Sequence, residues 1–204
     1  MKRFAIAAPG ELGARARALD AEAAPLPELR AQAASLAHHY IDAVIDGFLL
    51  ALARAVRGVP GAGARSANLV RSMADRFVTP GVRGAKREQI DDFLGFLRMH
   101  VVDARLSFAV DEDFATSLEP ALAAPGDRDA LHPALHAMID ECMHHFLDAP
   151  LAMLHLGLFA RAAIAVGRSG VTTRAHSMVD DVLARADRAP VERLAAFLGD
   201  AIIE

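Results

Sequence analysis

Leu36-Ala-His-His-Tyr-Ile-Asp-Ala-Val-Ile-Asp46 lies in a run whose apolar positions Ala37, Ile41, Val44, Ile45, Phe48, Leu52 and Val56 keep the three-or-four spacing of one helical face. A helix from about Pro27 to Val56 is expected, stopped by Arg57-Gly-Val-Pro-Gly-Ala-Gly-Ala64. Part of the pattern, His-His, aromatic, aliphatic, Asp, returns as His144-His-Phe-Leu-Asp148 behind Cys142-Met143. The surroundings are helical in both places. Each copy therefore sets imidazoles and a carboxylate within one turn of each other, beside an apolar stripe.

Working outward, Glu11 to about Ala24 is helical by propensity until Pro25 and Pro27 break it, so a peripheral N-terminal helix is expected within residues 1–26. A short helix from Ser66 to about Phe77 ends at Thr79-Pro80-Gly81, and a third strong helix is expected from about Arg87 to Phe108. Another short one spans Asp111 to Leu122. The helix from Asp129 to Asp148 meets Pro150, where a kink or break is expected. Leu151 to Val166 is apolar almost all round, the composition of a central helix, with Gly167 and Gly170 closing it. Thr172 or Thr173 opens a helix to about Arg188, and Pro190 suits the first turn of a last one. No stretch shows sustained strand alternation. The expected fold is all-α, a single-domain bundle of about eight or nine helices over residues 1–204 with a central apolar helix.

The chain is 53% hydrophobic and carries a net charge of −4 with acids and bases interspersed, so no basic stripe argues for nucleic acid or an anionic membrane surface. The single Cys142 excludes an internal disulfide. Phe4 to Ala8 is shorter than the roughly 7–15 residue apolar core of a signal peptide. Leu151 to Val166 contains His155 and Arg161 and falls short of the roughly 20 residues of a bilayer span. A cytoplasmic protein without a membrane span is expected. The wealth of Leu, Phe and Met also suits binding of an apolar small molecule or a partner helix, or a homo-oligomer.

Turning each helix at about 100° per residue selects the polar side chains that flank the apolar stripes. About Ile41, His38 lies roughly 60° and Asp42 roughly 100° from the stripe centre; about Val179, His176 and Asp180 take the same offsets. About Leu97, His100 and Asp103 lie near −60° and −120°, and about Cys142, His145 and Asp148 do likewise. Glu141 sits one turn before His145. Four helices thus carry an imidazole at the stripe margin with a carboxylate outside it. Imidazole nitrogen and carboxylate oxygen from facing helices suit a divalent transition metal, Fe, Mn or Zn, with the Asp side chains as ligands or as acceptors behind the imidazoles.

Ordinary uses compete for each of these residues, because a His hydrogen-bonded to an Asp one turn away is a common boundary pair. His155 reads as a core histidine, Arg161 as a buried ion-pair partner, and Cys142 as a small core hydrophobe. The Gly58 to Gly63 loop lacks the lysine of a phosphate-binding loop. Two functions follow. One is a metal centre of the oxidoreductase or hydrolase kind, activating dioxygen or water. The other is a non-catalytic all-α protein that binds a ligand or a partner chain.

Overall fold

Most apolar stripes become helices in the computed structural model, which describes residues 2–57, 63–154, 156–185 and 188–203. Within them the chain forms eight helices: α1 Gly10–Ala18, α2 26–57, α3 64–84, α4 Arg87–His100, α5 Glu112–Ala123, α6 128–153, α7 Leu158–Arg185 and α8 Arg188–Ala201. Local signals start several of them. Asp111 and Asp127 accept backbone N–H groups of Phe114 and Asp129 at 2.7 and 3.0 Å, capping α5 and α6. Pro27 occupies the first turn of α2, where its missing N–H costs nothing.

Three helices contain a π turn, two of them just before a proline. In α3 the turn Ala74–Val78 precedes Thr79-Pro80, and in α6 the turn His144–Asp148 precedes Ala149-Pro150. A proline inside a helix clashes with the carbonyl four residues back and leaves it without a donor; widening the preceding turn by one residue relieves the clash. Neither proline therefore ends its helix, contrary to the stop expected at Pro80; of the kink or break expected at Pro150, the break does not occur and the distortion is the π turn. The carbonyl four residues before Pro150 is that of Phe146, and the buried Tyr40 hydroxyl donates to it at 2.7 Å. The third π turn, Ile45–Leu49 in α2, brings Gly47 against the N-terminal strand, where a Cβ would lie 2.6 Å from the Ala7 carbonyl oxygen.

One stripe corrects the expectation of no strands. α4 ends at His100, and the chain turns into a four-stranded antiparallel sheet of β1 Arg3–Ala7, β2 Val101–Val102, β3 Arg105–Ala109 and β4 Ile202–Ile203, in the order β2-β3-β1-β4. Val102 pairs with Arg105, so Asp103 and Ala104 form the two-residue turn between them, both with positive φ, 48° and 59°. Asp103 is thus at a hairpin tip and not one turn beyond His100 on a helix. The reason is tertiary: β3 is held by β1, from the other end of the first hundred residues, through pairs such as Phe4↔Phe108 and Ile6↔Leu106. The first 26 residues are accordingly integral to the core, since Phe4, Leu12 and Ala16 are wholly buried.

The core lies between the sheet and helices α2, α4 and α6. Phe4 stacks on Phe108 at 5.3 Å, and Phe146 meets Phe108 edge-on at 5.2 Å. Among the described residues one helix, Leu26–Val56, is long and apolar enough to cross a membrane by length and composition alone, and its apolar face is part of this core. The segment from Leu151 to Val166 is not the central helix. It is divided between the ends of α6 and α7, with Leu158, Phe159 and Val166 on the surface. Arg161 is exposed too, so it is not a core ion-pair member. Gly167 and Gly170 lie inside α7 instead of ending it. Gly167 admits the close approach of Met73, whose sulfur would collide with a Cβ there. His155 and the loop 58–62 lie outside the described residues.

Candidate metal centre

Along α6, His132, His136, Asp140, His144 and Asp148 recur every fourth residue, and along α7 Arg168, Thr172, His176 and Asp180 do the same. Such positions drift by about 40° per step, so sixteen residues of pure α-helix would swing Asp148 roughly 160° away from His132. The π turn at His144–Asp148 inserts one residue and takes back about 100° of that swing. Asp148 consequently faces α7, where Arg168 Nη2 donates to its Oδ2 at 2.8 Å. The contacts run in opposite order along the two helices. His176 Nε2 lies 3.3 Å from Asp140 Oδ1, and His132 Nε2 and His136 Nε2 lie 3.0 and 2.7 Å from Asp180 Oδ1.

The last three residues form the tightest ligand set. Among the described residues they are the one group of three or more His, Cys, Asp or Glu whose donor atoms all lie within 4.8 Å of one another. Ligands bound at 2.0–2.2 Å to one ion stand about 3–3.5 Å apart, so the two nitrogens and the oxygen need little movement to share a cation. The rings are held by stacking, His132 on His136 at 4.4 Å and His136 on His176 at 4.1 Å with only 17° between planes. Burial works to raise the Asp180 pKa, but the hydrogen bonds and charges of His136 and His132 outweigh it. The carboxyl sits below its ordinary range. It is therefore an ionised carboxylate at neutral pH.

The nine residues expected to carry a metal do not converge. His176 and Asp180 belong to this seam. His38 contacts Thr79 Oγ1 at 3.0 Å and Asp75 at 3.6 Å, while Asp42, expected beside it, accepts Arg71 Nε at 3.0 Å. His100 Nδ1 donates to the Ser107 carbonyl at 2.8 Å at the edge of the sheet. Glu141 and His145 form a separate pair, Oε2 to Nε2 3.3 Å, with His145 stacked on Phe108 at 4.2 Å. The π turn separates His145 from Asp148, which the Arg168 contact takes to the other side of α6. Asp103, at the hairpin tip, joins none of these groups.

Burial, followed by the charges of His144 and His100, lowers the His145 pKa. Burial, followed by the charge of Asp111, raises that of Glu141. Both members of that pair lean toward their neutral forms. Cys142 is buried, as its stripe position predicts, and burial pushes its thiol well up.

His132, His136 and Asp140 escape a search centred on the His-His motif. A different repeat in the sequence marks His136 and Asp140: His136-Ala-Met-Ile-Asp-Glu141 returns as His176-Ser-Met-Val-Asp-Asp181, while His132, one turn earlier, has Thr172 at its counterpart position. The two copies are the facing segments of α6 and α7. No protein-family model, curated protein or solved structure matches the chain. Its site has to be judged by its own chemistry.

Proposed function

We propose that this chain is a helical metal-binding protein whose His132, His136 and Asp180 hold one divalent transition ion, Fe, Mn or Zn. The observation that carries this is the meeting of two imidazole nitrogens and an ionised carboxylate oxygen from neighbouring helices within 4.8 Å. Two His residues four apart on one helix, completed by a carboxylate, are a donor set used both by hydrolytic zinc and by oxygen-activating iron. Three protein ligands leave positions open on the ion. The chemistry that follows is activation of water or dioxygen, which puts the protein among hydrolases or oxidoreductases. Elemental analysis of protein purified without an affinity tag tests this. The native chain is expected to retain transition metal and the double variant His132→Ala/His136→Ala to lose it; a metal content that the double variant leaves unchanged refutes the assignment.

A second, non-catalytic reading is supported by the surface of α7. Phe159 is 91% exposed and Val166 75%, and seven residues of helix place them about 20° apart on one face. A partner helix would cover them, and light scattering that gives a strict monomer counts against it. The apolar cavity between Tyr40, Ile41, Phe93, Phe146, Leu154 and Ile164 gives less support to a small-molecule ligand. At about 40 Å³ it is far below the roughly 150 Å³ that admits benzene.

A further inference from the structure

The repeat that builds the metal centre has a consequence on its other side. Aligning His136 with His176 and Asp140 with Asp180 also aligns Arg128 with Arg168 and His132 with Thr172. Because α6 and α7 run in opposite directions, the aligned residues are related by an approximate two-fold axis through the His136–His176 stack. The contacts obey it: His136 reaches Asp180, and His176 reaches toward Asp140. The operation carries His132, His136 and Asp180 onto Thr172, His176 and Asp140.

That second triplet is the unsatisfied half. His176 Nε2 and Thr172 Oγ1 are both buried atoms without a hydrogen-bond partner. His176 Nε2 is 3.3 Å from Asp140 Oδ1 yet makes no hydrogen bond to it. Arg168 Nε, one turn before Thr172, is buried without a partner as well, but that guanidinium is already paired through Nη2 with Asp148. Buried polar atoms are nearly always partnered, and Thr172 Oγ1 and His176 Nε2, on successive turns of one helix with Asp140 beside His176, share a single missing partner most simply. The charge decides its sign. Around the stack stand Asp140 and Asp180, with Asp148 neutralised by Arg168 at the far end, so a cation is favoured over an anion.

We infer that Thr172, His176 and Asp140 form a second divalent-cation site, the two-fold counterpart of His132, His136 and Asp180. With one imidazole, one hydroxyl and one carboxylate it is richer in oxygen than the first, and therefore suits a harder ion of the Mn²⁺ kind. Repulsion from an ion at the first site makes it the weaker of the two. This extends the metal-binding proposal without requiring that the first site be loaded.

The test is a Mn²⁺ titration followed by the loss of the free-ion electron paramagnetic resonance signal, on zinc-loaded and on metal-free protein. The zinc-loaded native chain is expected to bind one further equivalent of Mn²⁺. His176→Ala and Asp140→Asn are expected to abolish it while keeping their zinc, and Thr172→His, which completes the two-fold copy, is expected to tighten it at least tenfold. Circular dichroism checks that each variant retains its helix content. A zinc-loaded chain that takes up no Mn²⁺, or one whose Mn²⁺ survives both His176→Ala and Asp140→Asn, overturns the second site and leaves the first untouched. A chain that binds no zinc but still takes up Asp140-dependent Mn²⁺ does the reverse.

Discussion

Asp180→Asn replaces the charged carboxylate that both imidazoles of the proposed centre share by a neutral amide, and its consequences differ with metal and with pH. Without metal, two hydrogen bonds to a carboxylate are weakened. Such bonds are worth about 1.5–3 kcal/mol each when buried. Asp180 is 49% exposed and His132 51%, so solvent screening reduces the pair to roughly 1 kcal/mol in total. For a chain of this length that lowers Tm by about 2–4 °C. With Zn²⁺ at a hundred times its Kd the native protein gains about 2.7 kcal/mol more, or about 5–10 °C, and the variant gains little of it.

The metal-free difference depends on pH in a fixed direction. The Asp180 pKa is lower in the folded chain than in the unfolded one, so the unfolded chain takes up the proton first as pH falls. The stabilisation is complete above the ordinary carboxyl value of about 3.9 and disappears as pH drops through the folded value. Thermal unfolding at pH 7 and pH 3, with and without zinc, measures all three quantities. A zinc shift equal in the native protein and the variant refutes the ligand assignment. A metal-free difference at pH 7 that persists undiminished at pH 3 refutes the electrostatic account.

Other consequences of the structure can be checked separately. Tyr40→Phe leaves the Phe146 carbonyl without its donor in the core and is expected to cost about 1–3 kcal/mol in urea unfolding; no measurable loss would mean that the carbonyl freed by Pro150 has another partner. Gly47→Ala sets a methyl against the Ala7 backbone and is expected to cost about 1–3 kcal/mol. Gly167→Ala meets only the flexible Met73 side chain and is expected to cost less, so the reverse order would contradict the packing described at both glycines. His145 is expected to titrate below 6.5 in a proton NMR series. Since its folded pKa is the lower one, the unfolded state binds more protons, and His145 makes stability rise with pH through that region. A midpoint above 6.5 would show that the Glu141 carboxylate outweighs burial.

The helical character of the chain was legible because it rests on local periodicity: α2 and α6 announce their buried faces in their own residues. The sheet was not, because β1 and β3 acquire strand geometry only by pairing across about a hundred residues. The π turns were half visible. Pro80 and Pro150 marked the places, but the helix absorbs each proline by widening, a choice made by the surrounding core and by the Tyr40 hydroxyl. The same widening displaces Asp148, since counting at 100° per residue through His144–Asp148 puts it beside His145 when it belongs to the α7 seam. His176 and Asp180 were found by facial position alone. Their partner His136 is marked by the second repeat, whose meaning emerges only when the two copies are seen to face each other, and His132 carries no mark beyond its place one turn before His136.

The most direct test of the central claim is the metal content of untagged native protein, before and after chelation and soaking with Zn²⁺, Mn²⁺ or Fe²⁺. About one tightly held equivalent, restored by soaking and lost in His132→Ala/His136→Ala, is the result predicted for a three-ligand centre. Less than about a tenth of an equivalent that soaking does not restore would contradict it.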